Sequence, residues 1–161
     1  MTEKRDFLSA ALELSALERL DVAALELLYQ LECSGEDFYN TIADRVGDDD
    51  AATLLRRNAR EEMGHARRVG RAIAIKQGTP FAPSPELQER LTIELPDPIP
   101  VEMLPFVVQG ESDGDAWYQR WADNETDPDV ERLLRLNGRE ESLHGRRVTQ
   151  VMTILEHSAD S

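Results

Sequence analysis

The chain has 161 residues, 40% of them apolar and 31% charged, with a formal net charge of −14. That length suits one domain with its own core, and a chain this acidic repels phosphate backbones, which argues against nucleic acid as a partner. No apolar run approaches the ~20 residues that cross a bilayer. Cys33 is the only cysteine, which rules out an internal disulfide, a thiolate zinc site and a rubredoxin-type cysteine pair. With no signal-peptide core in the opening residues, a reducing, cytoplasmic location is expected.

Residues 3–14 read as a short leading helix. An apolar stripe at helical spacing, Leu17, Leu20, Ala24, Leu27, Leu28 and Leu31, then predicts a long helix from about Ala16 to Val46. Gly47-Asp48-Asp49-Asp50 breaks the pattern and offers an N-cap for a second helix, about Ala51 to Gln77. Residues 77–100 hold six of the eight prolines and read as a linker, with one short helix opening at Ser84-Pro85. A third helix is expected over about Val101 to Glu125. Asp127-Pro128 supplies a cap and a first-turn proline for a fourth, running to about His157.

The chain repeats itself. A shift of 79 residues lays Glu32–Val69 over Glu111–Val148 without a gap, and 18 of the 38 aligned pairs are identical. Unrelated segments would share roughly two or three at average residue frequencies. Each unit (about 16–76 and 101–157) reads as a helical hairpin. The expected fold is therefore all-α: an antiparallel four-helix bundle of two repeated hairpins. A linker of ~23 residues can cross the full ~40 Å length of such a bundle.

Glu62 and His65 are three residues apart, as are Glu141 and His144, so each pair shares a helix face. Glu32 precedes the first turn by 14 residues, while Glu62 and His65 follow Asp50 by 12 and 15. At ~1.5 Å per residue these lie ~21, ~18 and ~22 Å from one turn, at one height. Glu111, Glu141 and His144 repeat the arithmetic in the second unit. Antiparallel docking then gathers four carboxylates and two imidazoles in a bundle core, where unpaired charge is costly. Two divalent cations would cancel the four carboxylates, and imidazole with oxygen donors suits iron, or manganese, better than structural zinc. One Glu from each of two helices with Glu-x-x-His from each of the other two is the ligand pattern of di-iron carboxylate bundles.

At these residues the chain resembles the ferritin-like superfamily, including bacterioferritin and rubrerythrin. Asn58-Ala59-Arg60-Glu61-Glu62-Met63-Gly64-His65 looks especially like the encapsulated-ferritin branch, in which paired two-helix chains complete the site. This sequence looks like two such half-ferritin units fused. The resemblance implies metal ligands Glu32, Glu62, His65, Glu111, Glu141 and His144, and a ferroxidase that oxidises Fe²⁺ with O₂ or H₂O₂. Rubrerythrins generally carry a further glutamate where this chain has Gly114; Asp115 and Glu36 are the acidic residues near enough to substitute. The tail, Glu156–Ser161, does not resemble an apolar encapsulin-loading peptide. Met63, Met103 and Met152 suit core or interface roles rather than haem ligation.

Tyr39 and Tyr118 follow their glutamates by seven residues and share the ligand face. There they can bond a ligand, donate electrons or simply pack. Phe38 and Trp117 are expected between helices. Gly35 and Gly114, one turn from the ligands, provide either room at the site or close helix packing. Glu61 and Glu140 point about 100° from the ligand glutamates and are expected in surface pairs with arginines. Cys33 reads as a buried thiol, and His157 has no assigned role. Other readings of the whole chain are a peroxide reductase, a di-iron oxygenase, which needs an apolar pocket beside the metals, and a bundle merely stapled by metal. The apolar stripe runs beyond the metal level, so a homodimer or larger homo-oligomer is expected.

Overall fold

A computed structural model describes residues 5–160. Six helices account for most of them: α1 (Phe7–Ser15), α2 (Val22–Arg45), α3 (Asp49–Gln77), α4 (Pro85–Gln88), α5 (Leu104–Asp123) and α6 (Pro128–Ala159), with a 3-10 turn at Val101–Met103. The leading helix is α1; residues 3 and 4 lie outside the described residues.

The sequence sets most boundaries through capping. Asp48 accepts the N–H of Ala51 at the start of α3, and Asp127 accepts those of Asp129 and Val130, with Pro128 in the first turn of α6. Gly47 supplies the positive φ, 71°, between α2 and α3. Two boundaries differ from the sequence expectation. The leading helix expected over 3–14 starts at Phe7, because Asp6 takes extended backbone and accepts the N–H of Ser9. The helix expected from Ala16 begins at Val22, because Asp21 takes extended backbone and accepts the N–H of Ala24. Leu17 and Leu20 thus lie in the α1–α2 connection, where Leu20 is still buried.

The bundle is closed on three sides. α2 packs along α3, α5 along α6, and α3 against α6, whereas α2 and α5 do not pack along each other. α1 lies against α2, and its end is tied to α5: Arg120 donates to the carbonyls of Ser15 and Leu17, and Trp121 Nε1 donates to that of Leu17.

The linker is strapped to α2. Gln30 donates to the carbonyls of Glu86 and Glu89, the N–H of Leu91 donates to Ser34 Oγ, Arg45 donates to the Leu95 carbonyl, and the N–H of Ile99 donates to that of Arg45. The chain therefore travels from the middle of α2 to its C-terminal end before α5 starts. This run sets the second hairpin antiparallel to the first.

Two apolar clusters follow. One joins Leu25, Leu28, Val69 and Ile73 to Trp121, Val130 and Leu134; the other joins Ile42, Ala51 and Leu55 to Leu104, Val148 and Val151. In each, the turn end of one hairpin packs against the open end of the other. Among the described residues no helix is long and apolar enough to cross a membrane.

Candidate metal centre

The level between the two clusters is polar and buried. Glu32, Glu62, His65, Glu111, Glu141 and His144 are all buried there, both histidines completely. α2 and α5 each present one glutamate, while α3 and α6 each present a Glu-x-x-His face. Ligand atoms of Glu62, His65, Glu141 and His144 all lie within 4.8 Å of one another. The two imidazoles stack, with centroids 5.0 Å apart. His65 Nδ1 is 2.7 Å from Glu141 Oε1, 3.5 Å from Glu32 Oε2 and 3.7 Å from Glu62 Oε2. His144 Nδ1 is 3.0 Å from Glu62 Oε1 and 3.9 Å from Glu111 Oε2. Glu62 thus turns one oxygen toward each histidine.

Two features of this cluster fit a cation. His65 Nδ1 and Glu141 Oε1 approach closely yet have no hydrogen-bond partner, and Glu111 Oε2 has none either. Orphaned buried atoms of this kind are costly unless something binds them. The glycines provide the second feature. A Cβ at Gly35 would lie 2.9 Å from Glu62 Oε2, and one at Gly114 would lie 3.2 Å from Glu141 Oε2. Each glycine makes room for a Glu-x-x-His glutamate rather than for a neighbouring helix. At Gly114, a glutamate side chain would have to start in the space beside the Glu141 carboxylate.

Electrostatics agree. Burial, then the nearby Glu141 charge, pushes the carboxyls of Glu62 and Glu111 well above the usual range. Against its own burial, Glu32 is held at about 2 by the nearby His65 imidazole and by the hydrogen bond from Tyr118. Burial opposes a charge on His65 also, but Glu140, Glu141 and Glu32 raise it well above its ordinary value, while burial lowers His144. Protons do in part here what divalent cations could do fully.

Tests against protein-family models, curated proteins and solved structures give no match. The site must be read from its own geometry.

The tyrosines bond ligand glutamates, one of the roles their spacing allowed, and other partners were not visible in the sequence. Tyr39 donates to Glu111, and Tyr118 donates to Glu32 Oε1 at 2.5 Å, each crossing to the other hairpin. Glu61 and Glu140 do pair with arginines, Arg147 and Arg68 respectively. They also face the outer nitrogens of the histidines: Glu140 lies 3.2 Å from His65 Nε2, and Glu61 lies 3.4 Å from His144 Nε2. Asn58 donates to the His144 carbonyl and Asn137 to that of His65, pinning α3 to α6 at the site. The identity of Asn58 and Asn137 across the repeat was the available signal. Asp115 and Glu36 do not join the cluster; they bind Ser142 and Arg90. Cys33 is buried. His157 bonds the Thr153 carbonyl at an exposed position.

A cavity of about 600 Å³ opens on the unclosed side, between α2 and α5 and beneath α1. Phe38, stacked on Phe7 of α1, and Trp117, packed against the first apolar cluster, lie between helices as expected and also line it, and its floor includes Glu32, Glu62, Glu111 and Glu141.

Proposed function

We propose that this chain is a di-iron carboxylate protein of ferritin-like type, oxidising Fe²⁺ with O₂ or H₂O₂ in cytoplasmic iron handling and oxidative-stress protection. One observation carries the reading: buried Glu62, His65, Glu141 and His144 converge, with Glu32 3.5 Å from His65 Nδ1 and Glu111 3.9 Å from His144 Nδ1, and the outer nitrogen of each histidine faces a glutamate. Glu62, His65, Glu141 and His144, with Glu32 and Glu111 beside them, would hold the ions. Bound iron would supply the electrons that reduce the oxidant; manganese would fit the same donors.

The chain's own residues do the remaining work. Glu140 orients the His65 imidazole and favours its tautomer with Nε2 protonated, while Glu61 places its charge 3.4 Å from His144 Nε2 without a hydrogen bond. Tyr39 and Tyr118 hold a proton against Glu111 and Glu32, which restrains those carboxylates. A rubrerythrin-like peroxide reductase gains no support, because neither Asp115 nor Glu36 supplies a further ligand. The test is anaerobic loading with Fe²⁺ followed by separate O₂ and H₂O₂ pulses, read optically. Rapid oxidation by at least one oxidant is expected. Failure with both, together with stabilisation by redox-inert Zn²⁺, would identify a metal-stapled bundle instead.

A further inference from the structure

We propose that the cavity between α2 and α5 is a binding site for an uncharged aliphatic molecule, held with one end against the carboxylate floor. This goes beyond iron oxidation and does not depend on it, because every lining group belongs to the chain.

Three observations carry the inference. Packed interiors leave few voids larger than a water molecule, yet this cavity measures about 600 Å³, within the ~300–1,000 Å³ typical of small-molecule sites. Its walls are apolar, with Leu28, Leu31, Leu95 and Val107 among them, and among the described residues no lysine, arginine or histidine lines it. The charged groups described along it are glutamates, and none of these receives an anionic headgroup. Finally, exposed Gly110 lines the cavity on α5, and a Cβ there would meet nothing within 4 Å, so a larger side chain has room to project into the opening.

Shape argues for a small molecule over a second copy of the chain. At the mouth, Leu8, Leu12 and Phe106 are 66%, 69% and 78% exposed; at the floor, Glu32, Glu62 and Glu111 are 6%, 5% and 7% exposed. A second protein surface could cover the rim, but a slender chain is what reaches the bottom.

The test uses the full chain, metal-free and Zn²⁺-loaded, with the uncharged fluorophore N-phenyl-1-naphthylamine. Saturable binding at one site per chain is expected, with displacement by n-decanol and much weaker displacement by decanoate in the metal-free protein. Gly110→Leu should weaken binding by about tenfold or more, because methylene contacts are displaced. Its melting temperature should hold or rise, since glycine is the poorer helix former. A second variant, Leu8→Glu, changes an exposed rim position and guards against misfolding as the explanation; it too should weaken binding. Absence of saturable binding, equal competition by decanoate, or unchanged affinity in Gly110→Leu would overturn the proposal. So would a dimer that Leu8→Glu dissociates while fluorophore binding appears, because a second copy would then be the occupant. Fluorophore binding in metal-free protein is read independently of iron oxidation, so the two proposals fail separately.

Discussion

Replacing Glu140 with glutamine keeps the side chain's shape but removes the charge that faces His65. If His65 Nδ1 serves the inner cluster, Nε2 carries the proton, and Glu140 Oε1 lies 3.2 Å from it and 2.7 Å from Arg68 Nη1. The His65 bond, followed by Arg68, holds Glu140 at about 2, so it is ionised at any working pH. Carboxylates in this position are worth about 10–100-fold in metal affinity, or ~1.4–2.7 kcal/mol. Glu61 provides an internal control. It lies 3.4 Å from His144 Nε2, which makes no hydrogen bond, and it is shared with Arg147 and Arg57. Glu61→Gln should therefore cost less than about tenfold. Chelator-competition titration with Co²⁺ measures both, and thermal unfolding of the metal-free variants checks the fold. Equal losses, or a larger loss in Glu61→Gln, would refute the assignment.

Glu62 and Glu111 should release protons when a cation binds, because burial and then Glu141 raise them in the metal-free fold. Apparent affinity should climb with pH, and calorimetry in two buffers of different ionisation enthalpy should reveal the release; its absence would contradict the electrostatics. For a raised carboxyl, the stabilisation is complete below its unfolded value and is lost as pH rises through the folded one. Metal-free protein should accordingly weaken toward neutral pH more than the loaded form, as read by urea unfolding. Gly35→Ala should lower metal affinity more than Gly114→Ala, because the nearest contacts of the new Cβ are 2.9 Å and 3.2 Å respectively. Helix propensity, favouring alanine by ~1 kcal/mol, should offset the crowding in the metal-free fold; an affinity unchanged in both would be inconsistent with the cradle. Tyr118→Phe removes a buried hydrogen bond to Glu32 and one from Asn137. It should cost about 1.5–3 kcal/mol in urea unfolding of metal-free protein, and a cost below about 0.5 kcal/mol would mean the bond contributes little.

Much of the fold could be read from local signals. Helical spacing marks α2, the Gly47–Asp50 run and Asp127-Pro128 mark the starts of α3 and α6, and proline density marks the linker. The 79-residue repeat joins residues from both halves before any contact is known, because each ligand recurs at the same distance from its turn. Local signals failed where two of them competed. Leu17 and Leu20 fit the apolar stripe, yet Asp21 caps at Val22 and interrupts it. Contacts between hairpins were illegible for a different reason. Spacing fixes the height of a side chain, but the rotation of α3 against α6 decides that Glu140 faces His65 rather than only Arg68. The same holds for Tyr39 and Tyr118, which share the ligand face yet bond the glutamate of the other hairpin. The cavity is least legible of all, since it exists because α2 and α5 stand apart, and no periodicity encodes a gap.

Counting ions tests the central claim most directly. Purified chain loaded anaerobically with Fe²⁺, freed of excess metal and analysed for iron and protein together should hold two ions per chain. One ion, or none, would contradict a centre built from both hairpins.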